Sequence, residues 1–537
     1  MHKNKNSLSI SLLTIFTGSV FLTSGKLVEN TNTPKFYFVV ISLLIATVII
    51  TISHKHLILA NIKRKIVLWG ISIIFSLQAC FGLLQFVGWF PSNHSRFTIT
   101  GSFDNPAGFA AVLAMGFPIC LYLLSKAKKI ERCFVIIGLV VITMAIFLSG
   151  SRTGILAITI SPFAFFLSQI SIIGKFQKLR YYKLLTAMGL IFILAGSFAL
   201  YYQKKDSANG RLLIWKVSSE MIKDKPVFGH GYGVFQANYM DYQAEYFKNN
   251  PNSPYVPLAD NIKHPFNEFV KIAVEFGIVG LAIILSFVLF GLWKILKSEN
   301  ENRALVLSGL SSFLVLACFS YPLQYVAIWL MLAFYLSLLL PSEEIKIKHT
   351  PISIISRIVI VIACTFSLFH FTKQIQAEIK WKTIAKNSLR GNTKEMLPEY
   401  EKLYTTILKR NCYFLYNYGA ELNVANQFER SIKILNECKG QFNDYDLQML
   451  LADNYHQKGE IEKAIRIYQY ASNMVPCRFL PLYHIFEIYK KGNQRELAIK
   501  YANEIINKEV KIKSNTVSFI KSQASNYLNT SQYKSNE

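Results

Sequence analysis

The sequence has few charged residues for its length. Only 17% of its 537 residues are Asp, Glu, Lys or Arg, while 52% are hydrophobic, and an ordinary soluble protein has roughly a quarter charged residues. The charges are also unevenly placed, since residues 372–537 hold 25 Lys/Arg and 17 Asp/Glu, whereas residues 1–371 hold 33 and 15. This distribution excludes a purely soluble enzyme. It predicts a membrane domain, 1–371, followed by a soluble domain, 372–537.

Cysteine pairs and a compact basic face are also lacking. The eight cysteines include no C-x-x-C pair, and five lie in or beside apolar runs, where Cys behaves as a small hydrophobe. We therefore expect neither a zinc site nor a disulfide framework. The net charge is +26, but the basic residues of the membrane domain lie between apolar runs rather than on one soluble face. They indicate membrane topology and contact with lipids, and we expect no nucleic-acid partner.

Eleven apolar runs approach the length of about 20 residues that a helix needs to cross a bilayer core of about 30 Å. They predict an all-α polytopic bundle of about 11 transmembrane helices. The runs are approximately residues 7–24, 36–53, 66–88, 106–124, 133–150, 153–170, 183–202, 266–294, 303–319, 324–340 and 352–371.

Lys and Arg are concentrated in alternate short loops of this map. The loops at 55–65, 126–132, 175–183 and 294–303 are rich in them, whereas the intervening short loops carry only Lys26, Lys35, Arg96 and Arg152. The positive-inside rule then places the N-terminus inside and, after an odd number of spans, residues 372–537 outside.

Three polar stretches fall on the outer side of this map: 96–106, 149–154 and the long loop 203–264. One outer-face site is the simplest interpretation. Charged residues are nearly absent from the middles of the spans, which argues against a proton-coupled transporter or pump, because such proteins keep a charged relay at the membrane midplane.

The soluble domain contains a segment with the spacing of a tetratricopeptide repeat. The positions that match are Leu451, Tyr455, Gly459, Ala464, Tyr468, Ala471 and Pro476. Weaker matches one period earlier and later predict about three helix pairs, and so an α-solenoid with a concave face. Two roles remain open for it: a structural cap on the membrane domain, or a docking surface for a protein partner or an acceptor.

The loop 203–264 is unusually long for an outer loop, which favours a function. Its apolar pattern predicts a short helix over 211–222, with a turn at Asn209-Gly210 just before it. Glycines at 229, 231 and 233 surround His230 and predict a flexible segment. We expect no nucleotide site there, because G-x-G-x-G without a preceding strand is a poor match to a phosphate-binding loop.

The loop ends at His264-Pro265. Proline suits the first turn of a helix, so we expect His264 at a helix entrance, where the helix dipole favours a neutral imidazole that can act as a base. Glu268 and Glu275 follow on roughly the same face and could orient the ring. The alternative is an interfacial histidine followed by two acids at a helix start.

Arg152 lies in the short turn LSGSRTG between two spans, a position suited to a lipid phosphate. It could instead be an anchoring arginine that reaches lipid headgroups. In ITGSFDNPAGFAA, Asp104 or Asn105 is expected to cap the next span, and Arg96 nearby is a weaker site candidate.

Three stretches together resemble the bacterial O-antigen ligase family and its relatives, the O-antigen polymerases and the protein O-oligosaccharyltransferases. They are ITGSFDNPAGFAAVLAMGFP, LSGSRTGILA, and NGRLLIWKVSSEMIKDKPVFGHGYGVF followed by HPFNEFVKIAVEFGIVGL. The resemblance covers roughly residues 70–340.

The resemblance implies an inverting glycosyl transfer that needs no metal ion or other cofactor. A glycan on undecaprenyl diphosphate would pass to an acceptor hydroxyl on the periplasmic side of the bacterial inner membrane. By motif position, Arg152 and Arg211 would bind the diphosphate and His264 would activate the acceptor. Arg96, Glu268 and Glu275 are weaker candidates for substrate binding. Pro265 departs from the small polar residue that the family usually has after this histidine.

The acceptor is left open by these residues. A ligase would use the lipid A core or a similar surface lipid, a protein O-oligosaccharyltransferase would use Ser or Thr of exported proteins, and a polymerase would use the growing glycan. A non-enzymatic scaffold or exporter is the alternative from a different class.

Overall fold

The computed structural model describes residues 2–52, 64–173, 205–297, 301–339 and 351–533, and every regular element in these ranges is helical. The predicted all-α membrane fold is therefore confirmed. Ten of the eleven predicted runs fall on apolar helices, and six of the helices are long and apolar enough to cross a membrane. The eleventh run, 183–202, lies outside the described residues.

The chain divides into two compact units. The first comprises Met1–Gln203, Phe266–Glu268 and Ile284–Ile379, and the second comprises Lys204–Pro265, Phe269–Ile283 and Lys380–Glu537. The sequence-based boundary at residue 371 falls inside one long helix, Pro351–Asn387.

The helices of the first unit are predominantly apolar. In chain order they are α1 (His2–Phe21), α2 (Asn32–Ile52), α3 (Arg64–Phe86), α4 (Pro106–Lys126), α5 (Lys129–Leu148), α6 (Arg152–Ile173), then, after the long loop, α9 (Glu268–Lys297), α10 (Arg303–Phe319), α11 (Val326–Ser337) and α12 (Pro351–Asn387). Both α9 and α12 are shared by the two units.

Helix α4 is central to the first unit, and most of its residues are buried. Small residues let large neighbours approach it, as is typical of membrane helix interfaces. A Cβ at Gly108 would meet the ring of Tyr325, and one at Gly116 would meet the ring of Phe75. Asn105 caps the helix by accepting a hydrogen bond from the N–H of Gly108 at 2.9 Å, which confirms the predicted cap.

The second unit contains the two helices of the long loop and the helices of the C-terminal region. The loop helices are α7 (Lys205–Asp224) and α8 (Val234–Asn249), and the C-terminal helices are α13 (Thr393–Tyr404), α14 (Cys412–Val424), α15 (Phe428–Lys439), α16 (Tyr445–Gln457), α17 (Ile461–Met474), α18 (Leu480–Lys491), α19 (Arg495–Asn507) and α20 (Asn515–Tyr533).

The C-terminal helices pack as consecutive antiparallel pairs: α14 with α15, α16 with α17, and α18 with α19. The small-to-large contacts expected of such pairs are present. Gly419 faces Leu435, whose side chain a Cβ at that position would strike, and Ala464 and Tyr468 are fully buried. The three predicted helix pairs are therefore confirmed, while the assignment to tetratricopeptide repeats stays a prediction.

The long loop is packed onto these pairs. Gln243 of α8 is fully buried and donates hydrogen bonds to the carbonyls of Met474, at 2.6 Å, and Asp260, at 3.2 Å. Lys263 lies over the rings of Tyr413 and Phe442, 4.9 and 5.4 Å from their centroids. The helix pairs therefore support the backbone that leads into His264.

Candidate functional site

Arg211 lies on α7, which spans Lys205–Asp224. The helix is longer than the predicted 211–222, and the turn predicted at Asn209-Gly210 is wrong, because both residues are helical. The propensity of Asn-Gly for turns is overridden by the apolar residues that follow, of which Leu213, Val217 and Met221 are buried.

Trp215, one helical turn after Arg211, ties this helix to the histidine segment. Its indole Nε1 donates a hydrogen bond to the backbone carbonyl of Pro265 at 2.9 Å. Because His264 directly precedes Pro265, this contact fixes the backbone next to the predicted base relative to the helix that carries Arg211.

His264 is half-buried within the second unit. Burial lowers its pKa from 6.5 to about 4, and the positive charges of Lys271 and Lys263 act in the same direction. The imidazole is therefore neutral at pH 7, as predicted. The physical cause is different, however: desolvation and neighbouring ammonium groups produce the shift rather than a helix dipole.

The helix after His264 begins at Glu268, so the predicted start at Pro265 is wrong. Between them Phe266 adopts a positive φ of 55°, a conformation that side-chain-bearing residues rarely occupy. Its ring packs against that of Tyr321, with centroids 5.3 Å apart. Strained backbone of this kind is concentrated at functional sites.

Glu268 is buried, and its Oε1 accepts a hydrogen bond from the backbone N–H of Leu323 at 3.1 Å. Leu323 lies in the short 3₁₀ turn Pro322–Gln324. The carboxylate thus holds a neighbouring turn of the first unit in place, and its predicted contact with substrate stays a prediction.

Helix α9 is broken at Gly277, where φ is 64° and ψ is −164°. The glycine-rich segment 226–231 fills the break. The N–H groups of His230 and Gly231 donate to the carbonyls of Val274 and Glu275, at 2.9 and 2.8 Å. In the reverse direction, the carbonyls of Pro226 and Val227 accept from the N–H groups of Ile278 and Val279, at 2.8 and 3.2 Å.

These backbone hydrogen bonds explain why glycine occupies positions 229 and 277, where the two segments approach too closely for a side chain. A Cβ at Gly229 would lie 2.5 Å from the backbone of Glu275, and one at Gly277 would lie 2.2 Å from the carbonyl oxygen of Val227. The segment around His230 is therefore locked into the helix break, and the prediction that it is flexible is wrong. His230 Nε2 is further held at 2.7 Å from the carbonyl of Met221.

Glu275 is buried, and its carboxylate accepts the backbone N–H groups of Gly233 and Phe235. These groups belong to the N-terminus of α8, for which Gly233 is the cap residue. A carboxylate at a helix N-terminus compensates N–H groups that lack partners within the helix. The structure thus gives Glu275 a capping contact, and its role in substrate binding stays a prediction.

Arg152 is the first residue of α6 and is half-buried. The turn before it is tightly packed, since Gly150 has a φ of 67° and a Cβ at Gly154 would approach the Cβ of Ala110 to 2.7 Å. Thr153 donates to the carbonyl of Phe319 at 3.2 Å. The arginine therefore projects from a fixed turn of the first unit, whereas Arg96 is exposed.

Sequence reasoning missed Trp215 and the break at Gly277. The apolar pattern over 211–222 predicts the helix that carries Trp215, but nothing local indicates that its indole binds a carbonyl 50 positions away. Gly277 interrupts an apolar run and Gly229 lies in a glycine-rich segment, but the contact between these two parts of the chain depends on the tertiary fold.

The fold defines a class: an all-α protein with several helices able to cross a membrane and a C-terminal array of helix pairs. Within it, residues 137–285 match the family model described as O-Antigen ligase. Over this range the chain is similar to O-antigen ligases. Arg152, Arg211 and His264 all fall inside the matched range.

Curated relatives agree with this assignment. The chain is 26% identical over 240 residues to a candidate polysaccharide ligase of Rickettsia bellii, covering 41% of this chain and 55% of the relative. It is 28% identical over 216 residues to a candidate polysaccharide ligase of Rickettsia typhi, and this alignment covers 38% of this chain and 50% of the relative. The chain thus spans about half the length of these relatives. No solved structure matches it.

Proposed function

We propose that the protein transfers a glycan from undecaprenyl diphosphate to an acceptor hydroxyl at the periplasmic face of the bacterial inner membrane, and that the acceptor is the lipid A core or a similar surface lipid. The observation that carries this proposal is the neutral His264, held beside Pro265 and tied through Trp215 to the helix of Arg211. The match of residues 137–285 to the O-antigen ligase model and the names of the Rickettsia relatives support the reaction class.

In the proposed reaction, the acceptor oxygen attacks the anomeric carbon of the glycan from the side opposite the diphosphate. The carbon–oxygen bond to the diphosphate breaks, and the configuration at that carbon inverts. His264 takes the proton from the acceptor hydroxyl through a ring nitrogen. A neutral imidazole can do this, whereas an imidazolium cannot.

The leaving diphosphate carries negative charge that must be stabilised. Arginine does this with paired N–H donors and remains charged at every relevant pH, so no metal ion is required. We assign this role to Arg152 and Arg211. Arg96, Glu268 and Glu275 are secondary candidates for holding the substrates.

A protein O-oligosaccharyltransferase is the second candidate. It is favoured by the packing of Lys263, next to His264, on Tyr413 and Phe442 of the helix pairs. A concave array that supports the base could also present a Ser or Thr acceptor. A polymerase or a non-enzymatic scaffold has no comparable support.

The diphosphate assignment is tested with Arg152→Ala and Arg211→Ala in proteoliposomes supplied with a labelled lipid-linked glycan. Each variant should lose transfer by about a hundredfold or more, which is typical for removing one donor to a developing negative charge. Arg132→Ala is the matched control, because Arg132 is an exposed arginine of α5 in a predicted inward loop. Wild-type rates in both test variants, with normal insertion, would refute the assignment.

A further inference from the structure

A large groove lies between α1, α3 and α5 of the first unit, well away in sequence from the motifs discussed above. It has a volume of about 920 Å³, and its lining is almost entirely apolar. Trp69 and Ile73 of α3 are at its centre, Leu13 of α1 is on one side, and Ile130 and Phe134 of α5 are on the other. We call it the α1–α3–α5 groove.

The chemistry changes at one end of this groove. Arg64 and Lys65 line it at the first residues of α3, and Glu131 lines it in the first turn of α5. Lys65 and Glu131 pair at 2.9 Å with both side chains substantially exposed, and such surface pairs contribute little. The end therefore has a net positive charge, to which the N-terminal dipoles of α3 and α5 add.

The length of the groove fits one leaflet. Arg64 and Ile73 are nine positions apart on one helix, which corresponds to about 13 Å at about 1.5 Å per residue. Half of a bilayer core of about 30 Å is close to this distance. An acyl chain of one leaflet would run from the charged end to Ile73, with its headgroup at Arg64 and Lys65.

We propose that the α1–α3–α5 groove binds an anionic phospholipid, with the acyl chain along Trp69 and Ile73 and the phosphate at Arg64 and Lys65. Basic pockets between membrane helices on the cytoplasmic side are suited to such headgroups. By the positive-inside pattern of the sequence, this end faces inward. The site is thus separate from the proposed transfer site and does not depend on it.

The test uses the full chain in phosphatidylcholine vesicles and the emission of Trp69, isolated by subtracting the spectrum of Trp69→Phe. Brominated phosphatidylglycerol and brominated phosphatidylcholine are compared as quenchers at equal mole fraction. We expect phosphatidylglycerol to quench at a several-fold lower mole fraction. The double variant Arg64→Gln/Lys65→Gln should lose this preference, so that both lipids quench at the same mole fraction.

Lys126→Gln is the matched control, because Lys126 ends α4 and is exposed but does not line the groove. It should retain the preference. Equal quenching by both lipids in the wild type, or a preference that survives in the double variant, would overturn the proposal. So would displacement of brominated phosphatidylglycerol by undecaprenyl phosphate at a far lower mole fraction than by unlabelled phosphatidylglycerol, since the preferred occupant would then be an isoprenoid.

Discussion

The indole Nε1 of Trp215 donates to the carbonyl oxygen of Pro265 at 2.9 Å, one helical turn after Arg211 on the same helix. One hydrogen bond thereby ties the helix that carries the proposed cation for the leaving diphosphate to the backbone next to the proposed base for the acceptor. Misplacement of a reacting group by even 1 Å is costly to catalysis. Trp215 is therefore a positioning residue in this account.

Replacing Trp215 with Phe removes the indole donor and keeps an aromatic ring. We expect kcat to fall by about fivefold or more, because a lost hydrogen bond costs about 1 kcal/mol, with little change in the KM for the donor. Steady-state transfer kinetics in proteoliposomes would measure both. Trp293→Phe is the control, since Trp293 is exposed on α9 and makes no contact with the site residues. An equal loss of kcat in both variants would contradict a positioning role.

The pH dependence of transfer follows from His264. Its pKa of about 4 in the free protein keeps the base neutral well below pH 6.5. The acid limb of kcat/KM, which reports the free enzyme, should therefore lie near pH 4. The limb of kcat should lie at higher pH, because a bound diphosphate stabilises the imidazolium. A kcat/KM limb near pH 6.5 would show that the imidazole is not buried in this way.

The same shift affects stability. Between pH 6.5 and about 4 the unfolded chain binds a proton at His264 that the folded chain does not bind. The free energy of unfolding should therefore decrease as the pH falls through this window. His264→Gln should lessen that decrease, which denaturation at a series of pH values would measure. An unchanged pH dependence would contradict the burial of the imidazole.

The helix break at Gly277 provides a matched pair of alanine substitutions in α9. Gly277→Ala should destabilise the protein by about 1–3 kcal/mol from backbone strain alone, and more from the contact with Val227. Gly291→Ala meets open space and should have little effect. Thermal unfolding in detergent would compare them. Equal melting temperatures for the two variants would show that residues 226–231 do not occupy the break.

Much of the fold was predictable because it depends on local properties. Apolar length predicted the spans, and the cap at Asn105 followed from Asn-Pro before an apolar run. The repeat spacing of Gly459, Ala464 and Tyr468 predicted the helix pairs. Each of these patterns depends only on neighbouring residues, so it can be recognised without the tertiary structure.

The site was only partly predictable, because its geometry depends on distant contacts. The neutral state of His264 was expected, but its cause is burial near Lys271 rather than a helix start. The segment around His230 has the composition of a flexible loop, yet it is locked by backbone hydrogen bonds to residues near Gly277. Local sequence cannot specify partners that lie more than 40 positions away.

The role of His264 as the base is tested by comparing transfer by the wild type and His264→Ala in membranes that contain a labelled lipid-linked glycan. The labelled acceptor is then identified by gel electrophoresis and mass spectrometry. We expect label on a surface lipid with the wild type and almost none with the variant, at equal insertion of both proteins. Label on exported proteins would instead identify a protein O-oligosaccharyltransferase. Equal labelling by wild type and variant would contradict the role of His264 as the base.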